Sequence, residues 1–203
     1  MAIIVVGGHS RDVGKTSVVT GLIAAFPERQ WTAVKITQHG HDLCAPDNQA
    51  GVSYAITEEL DRSGSSDTSR FLAAGAWRAL WVRTLPGCLA EAMPQLRREL
   101  EGTAAAILES NSVLQFLQPD LYLTVLDPAT PDFKPSAREF LDRADAFVLR
   151  CPPAGVPAGA PLWEGGRLNL AAHKPVFRMC PPDYVTEELI EFVRGRLGDR
   201  VIE

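Results

Sequence analysis

VVGGHSRDVGKTS, residues 5–17, is the stretch from which the rest of the chain can be read. Residues 2–6 just ahead of it form an unbroken apolar run rich in β-branched side chains and closed by a glycine pair, the pattern of a strand buried on both faces. Gly14, Lys15 and Thr16 then open a helix-forming stretch. In it Val18, Val19, Leu22, Ile23 and Phe26 recur at helical spacing, and Pro27 ends it. A strand, a glycine-containing loop and a helix in this order are what a phosphate-binding loop needs. Successive backbone N–H groups wrap the phosphate oxygens, and the helix N-terminus adds partial positive charge.

On this reading Lys15 reaches the β and γ phosphates, the Thr16 hydroxyl ligates Mg²⁺, and Gly14 lets the backbone turn with no side chain in the way. The residues expected to hold the nucleotide are Gly8, Ser10, Arg11, Asp12, Val13, Gly14, Lys15, Thr16 and Ser17. The usual spacing leaves four residues between its first glycine and the Gly-Lys pair, and here that first position is His9. Gly8, with five intervening residues, is the alternative spacing.

Working outward, residues 32–36 read as a second strand, followed by short apolar runs at 79–82, 104–108, 121–126, 146–149 and 175–177. Helices are expected at 66–74, 86–101, 136–143 and 186–197; the last has Thr186 as N-cap, Glu187 and Glu188 at its positive end and Gly198 as terminator. Strands alternating with helices predict an α/β fold of three layers, a mostly parallel central sheet covered by helices on both sides. One domain over residues 1–203 is expected, the proline-rich stretch 151–161 being an irregular excursion. Ligands of such sheets lie at the carboxyl ends of the strands, so function should be carried by residues 7–16, 35–44, 109–112, 127–134 and 150–153.

Composition narrows the chemistry. With 203 residues, 46% hydrophobic and 22% charged, the chain can fill a core, and disorder is excluded. A net charge of −5 argues against a general nucleic-acid surface, which would need basic stripes. The longest apolar runs fall far short of the ~20 residues of a membrane-spanning helix. The opening MAIIVVGG carries no basic leader, so a cytoplasmic protein is expected. Cys44, Cys88, Cys151 and Cys180 are scattered with no C-x-x-C pair, and reduced, mostly buried thiols are the expectation. Trp31, Trp77, Trp81 and Trp163 are read as core or lid residues.

The spacing of five residues between Gly8 and Gly14-Lys15-Thr16, with Val13 before the second glycine, resembles the loop of dethiobiotin synthetase. Lys35, just after the second strand, resembles the lysine that family uses near its substrate carbamate. Later segments are similar to the wider deviant, SIMIBI class of P-loop NTPases. That class also contains the molybdopterin-guanine dinucleotide biosynthesis protein B and the urease and hydrogenase maturation GTPases. AAAILESNS (104–112) looks like their strand ending in Ile-Glu-Ser, and DLYLTVLDPATPDFKPS (120–136) followed by LDRADAFVLR (141–150) is similar to their later strands. HGHDLC (39–44) and SGSSDTSRFLAAGA (63–76) resemble the His-rich turn and the Asp-Ser helix of protein B.

The resemblance implies a P-loop NTPase fold, ATP or GTP with Mg²⁺, and metal carboxylates at Asp67 and Glu109. Two departures limit it. Arg150, Cys151, Pro152 and Pro153 stand where the GTPases carry Asn-Lys-x-Asp, so guanine preference is unsupported. The dimerising lysine of many members is Ser10 here, so sandwich dimerisation through it is not expected, and a homodimer is left open.

Phosphoryl transfer needs a carboxylate to hold the metal or position the nucleophile. Glu109 and Asp67 are the candidates; Asp127 also ends a strand, and its alternative role is to cap the Asp127-Pro128 turn. Lys15, Lys35 and Glu109 are the expected catalytic residues, with Thr16, Asp67 and Glu109 as metal ligands. Lys35 is either a substrate-anion binder or a solvated lysine. Lys134 and Arg138 are a basic pair that either meets the ligand or faces solvent. His39, His41 and Cys44 either share a Zn²⁺ or Ni²⁺ ion or form a polar loop. The expected activity is ATP or GTP hydrolysis or γ-phosphoryl transfer, with an unidentified small molecule or protein as acceptor. The alternatives are a nucleotide-gated adaptor or metallochaperone and a dethiobiotin synthetase-like ligase.

Overall fold

Eight strands form one sheet in the computed structural model, which describes residues 1–38, 52–151 and 174–198. They are β1 (Ala2–Gly8), β2 (Thr32–Gln38), β3 (Tyr54–Glu58), β4 (Arg78–Thr84), β5 (Ala105–Glu109), β6 (Leu121–Leu126), β7 (Ala146–Arg150) and β8 (Val176–Met179). The helices are α1 (Lys15–Ala25), α2 (Asp67–Ala73), α3 (Leu89–Leu100), α4 (Pro135–Phe140) and α5 (Glu187–Leu197). The strand order is β3-β4-β2-β5-β1-β6-β7-β8, and every pairing is parallel except β3 with β4. The expected three-layer α/β architecture is borne out.

The apolar run at the start of the chain becomes the central strand because both of its faces find a hydrophobic layer. Ile4 and Val6 point into one core with Val18, Leu22 and Ile23 of α1, Phe71 of α2 and Leu189 and Val193 of α5. Val5 points into the other, with Leu89, Met93 and Leu96 of α3 and Phe140 of α4. All three strand residues have no exposed surface. Thr186 does cap α5, accepting from the Leu189 N–H, and Gly198 closes it at φ 64°.

Three features depart from the sequence reading. β3 was not expected: Tyr54–Glu58 is a half-exposed antiparallel edge strand whose partner, β4, follows only after α2. Its short YAITE run has too little apolar alternation to signal a strand, and pairing supplies what pattern does not. Cys151 and Cys180, expected as reduced thiols, are disulfide-bonded across 29 residues. The parallel register pairs Arg150 with Met179, so the next residue of each strand is a cysteine, with Cα atoms 4.9 Å apart. Trp31 is buried, its indole N–H donating to the Phe26 carbonyl at 3.0 Å, but Trp77 is 72% exposed and belongs to no core. Trp163 lies outside the described residues. Among the described residues no helix is long and apolar enough to cross a membrane.

Candidate functional site

β1 ends in Gly7 and Gly8, and at Gly7 nothing larger fits. A Cβ on Gly7 would stand 2.1 Å from Asn111 Oδ1, a backbone–side-chain overlap no rotamer change of residue 7 relieves. Asn111, just past β5, instead clamps the strand end: its Oδ1 accepts from the Gly8 N–H and its Nδ2 donates to the Gly8 carbonyl, both at 2.9 Å. At the far side of the loop Gly14 sits at φ 107°, a left-handed geometry that glycine adopts without strain, and hands the chain to α1.

His9 explains how this loop dispenses with the usual first glycine. Its buried ring accepts from the Asp127 N–H at Nδ1 (3.4 Å) and pairs through Nε2 with the Thr130 carbonyl (3.1 Å), which fixes the neutral tautomer with the proton on Nε2. Burial holds its pKa below the ordinary histidine value. The His9 carbonyl accepts from the Lys134 N–H at 2.8 Å, and Ser10 Oγ donates to Asp132 at 3.0 Å. The phosphate loop and the segment after β6 are therefore stitched together along residues 127–134.

Lys15 folds back over the loop, its Nζ donating to the Ser10 carbonyl at 2.6 Å. Burial, reinforced by the Lys134 and Lys35 cations and opposed by Glu109, lowers its pKa to about 8. Across the cleft, Lys35 Nζ lies 2.6 Å from both Asp67 Oδ2 and Glu109 Oε1 and 3.4 Å from Thr16 Oγ1. Thr16 Oγ1 in turn donates to Glu109 Oε2 at 2.8 Å. Burial alone would depress Lys35, but the two carboxylates hold its pKa above the ordinary lysine value. Burial likewise pushes Asp67 up, and Lys35, Thr16 and Arg70 outweigh it, so the carboxyl stays below its usual range. Glu109 is 3% exposed, whereas Asp67, at the first position of α2, is 44% exposed.

Asp67 is aimed by its own helix start. Ser66 caps α2, its hydroxyl accepting from the Ser69 N–H at 3.1 Å. Glu59 holds that cap from outside, accepting from Ser66 Oγ at 3.1 Å and Thr68 Oγ1 at 2.8 Å. Lys15, Thr16, Lys35, Asp67 and Glu109 border an open cleft of about 1110 Å³ at the carboxyl ends of the parallel strands. It extends on one side past Arg150 and Tyr184 and on the other past Thr37, Gln38 and Arg70.

Of the residues singled out in the sequence, Lys15, Thr16, Lys35, Asp67 and Glu109 converge, and Arg11, Asp12, Gly14, Ser17 and Lys134 line the same cleft. Asp127 does not join them: its Oδ1 accepts from the Ala129 N–H at 2.9 Å and its Oδ2 pairs with Arg150 at 3.1 Å, the turn-capping alternative. Val13 is fully buried as core, and Arg138 rests over the Phe133 ring. His39, His41 and Cys44 lie outside the described residues. Among the described residues no cluster of three or more His, Cys, Asp or Glu side chains stands ready for a metal. The sequence reading missed Arg70, Asn111 and Tyr184 as lining residues. Asn111 falls within the strand-end segment 109–112, and Arg70 follows Asp67 by one helical turn, pairing with it at 3.8 Å; Tyr184 had no local signal.

A central parallel strand, a glycine-bounded loop and a helix opening in Lys-Thr define the three-layer fold of P-loop nucleotide-binding proteins. Solved structures share it. The chain aligns with LpxK from Aquifex aeolicus, determined as an "apo" form in complex with ATP, at 18% identity and a TM-score of 0.54, covering 88% of this chain and 54% of that one. It thus spans about half the length of LpxK. HypB from Helicobacter pylori, determined in complex with nickel, aligns at 16% identity and a TM-score of 0.52 over 96% of this chain and 84% of its own. No family model and no curated protein sequence matches the chain.

Proposed function

We propose that this chain is a Mg²⁺-dependent P-loop nucleotide-binding enzyme that hydrolyses ATP or GTP or transfers its γ-phosphoryl group to an acceptor. The observation that carries the reading is the meeting of Lys15, Thr16, Lys35, Asp67 and Glu109, from four separate elements, at one cleft beside a helix N-terminus. In this role the backbone from Ser10 to Thr16 cradles the phosphates. Lys15 leaves the Ser10 carbonyl to meet the β and γ oxygens, and its ammonium balances charge as it shifts toward the leaving group. Thr16 Oγ1 and the Asp67 and Glu109 carboxylates are a set of hard oxygen donors, which fits Mg²⁺. Bound there, Mg²⁺ would supply Lewis-acid neutralisation of the phosphate oxygens. Lys35 and Arg70 give the adjacent half of the cleft its positive charge.

The test is a thermal-shift and turnover screen of ATP, GTP, CTP and UTP with Mg²⁺. At a hundredfold excess over Kd one nucleotide should stabilise the protein by about 2.7 kcal/mol. Lys15→Ala should abolish that shift and lower turnover by about a hundredfold or more. A Lys15→Ala protein that binds and hydrolyses nucleotide like the parent would overturn the reading.

A second reading, an adaptor or metallochaperone gated by nucleotide, is favoured by the fold likeness to HypB in complex with nickel. It predicts nucleotide-sensitive Ni²⁺ or Zn²⁺ binding that is lost in a His39→Ala/Cys44→Ala double variant. A dethiobiotin synthetase-like ligase would instead show ATP turnover that depends on a small acceptor.

A further inference from the structure

Three oxygen donors expected to hold a divalent cation already share a cation of the protein's own. The Lys35 ammonium contacts Asp67 Oδ2 and Glu109 Oε1 at 2.6 Å each and stands 3.4 Å from Thr16 Oγ1. A Mg²⁺ ion bonded to the same oxygens needs distances of ~2.0–2.1 Å from all of them, so it must take the place the ammonium fills. The two cations exclude each other by sterics and by charge. We propose that Lys35 is the resident counter-cation of this metal site, and that it bars a divalent cation from the carboxylates until nucleotide is present. This rests on the nucleotide-binding reading above.

The surroundings give Lys35 both a reason to stay and a reason to leave. Glu109 is almost fully buried, and its carboxylate and that of Asp67 face one locus; with no cation between them they would repel in a poorly solvated setting. Lys35 neutralises one of the two charges and fixes both side chains in line with Thr16. A divalent cation arriving alone would have to expel the ammonium with no anion to receive it. A cation arriving with a nucleotide brings phosphate oxygens, which complete its own coordination and offer the released Lys35 a new partner. The loop side of the cleft already holds cationic Lys15 and Lys134, so the exchange keeps the local charge near balance. Metal entry and Lys35 release are in this way one event, conditional on the nucleotide.

Mn²⁺, followed by electron paramagnetic resonance of the free ion, tests this on the full chain without any turnover. Wild-type protein should bind Mn²⁺ weakly in the absence of nucleotide. Lys35→Met, and Lys35→Gln as an uncharged polar variant, should bind it about tenfold or more tightly under the same conditions. Adding Glu109→Gln to either variant should remove the gain. Nucleotide-free wild-type protein that takes up Mn²⁺ as tightly as it does with nucleotide, once the Mn²⁺ held by the same nucleotide without protein is subtracted, or variants that bind Mn²⁺ no better than wild type, would overturn the proposal. The wild-type comparison stands even if neither variant folds. A wild-type protein that binds no nucleotide would instead overturn the function proposed above, because the nucleotide-free Mn²⁺ comparison is read separately.

Discussion

His9 shows how one side chain can substitute for a glycine. Its neutral ring ties residues 127 and 130 to the loop, an arrangement that requires an acceptor at Nδ1 and a proton at Nε2. Protonation would destroy the acceptor and leave the Asp127 N–H facing a cation. Because burial places the folded-state pKa below the ordinary histidine value of about 6.5, the unfolded chain takes up this proton first as pH falls. The stability linked to His9 is therefore intact above pH 6.5 and declines as pH drops from there toward the folded-state value, by up to about 1.4 kcal/mol per pH unit. Urea denaturation at stepped pH should show this slope. His9→Gln, whose amide can both accept and donate, should flatten it while retaining most of the stability at neutral pH; an unchanged slope would show that His9 is not the group responsible.

At the scale of elements, α2 is the part whose position matters most for its size. With only seven residues it cannot sustain itself by helix propensity, and its start is held by the Ser66 cap and the Glu59 carboxylate behind it. Ser66→Ala should cost about 1 kcal/mol of global stability. It should also weaken Mg²⁺-nucleotide binding more than nucleotide binding in EDTA, because Asp67 is the first residue of that helix. Calorimetry with and without Mg²⁺ separates the two effects, and equal losses in both would mean that the cap serves stability alone. The same element shows how far sequence reading reaches. The helix at 66–74 is expected from the sequence, whereas its Ser66 cap and the Glu59 brace appear only in the structure, the brace depending on β3 running antiparallel to β4.

Across the whole molecule, the sheet order sets which distant residues become neighbours. β7 and β8 are joined through residues far apart in the chain, and the Cys151–Cys180 bond closes a span of 29 residues. Restricting the unfolded chain over such a span is worth about 3–4 kcal/mol. Dithiothreitol, or Cys151→Ser/Cys180→Ser, should lower the unfolding free energy by that amount in denaturant titrations, and a drop well below 1 kcal/mol would show that the covalent link adds little to the β7–β8 pairing. The bond lies at the carboxyl edge of the sheet, where Arg150 and Met179 flank the end of the cleft beside Gly14 and Tyr184. The acidic balance of the chain, net −5, is likewise redistributed by the fold: Arg11, Lys15, Lys35, Arg70, Lys134 and Arg150 gather at a single opening.

The strand, loop and helix of residues 2–26, the alternating α/β order and the identities of Lys15, Thr16, Lys35 and Glu109 as candidates could be read from the chain itself, whereas Asp67 entered as a metal carboxylate through the resemblance of its segment to P-loop NTPases. Apolar periodicity, glycine placement and strand-end position are local properties, fixed by which residues stand a few places apart. Tertiary structure alone decided that Lys35 lies between Asp67 and Glu109, that Asp127 turns away to Arg150, that β3 closes one edge and that two scattered cysteines meet. Each of these depends on the order and register of strands drawn from distant parts of the chain. That order is set by the summed burial of two hydrophobic layers rather than by any one segment.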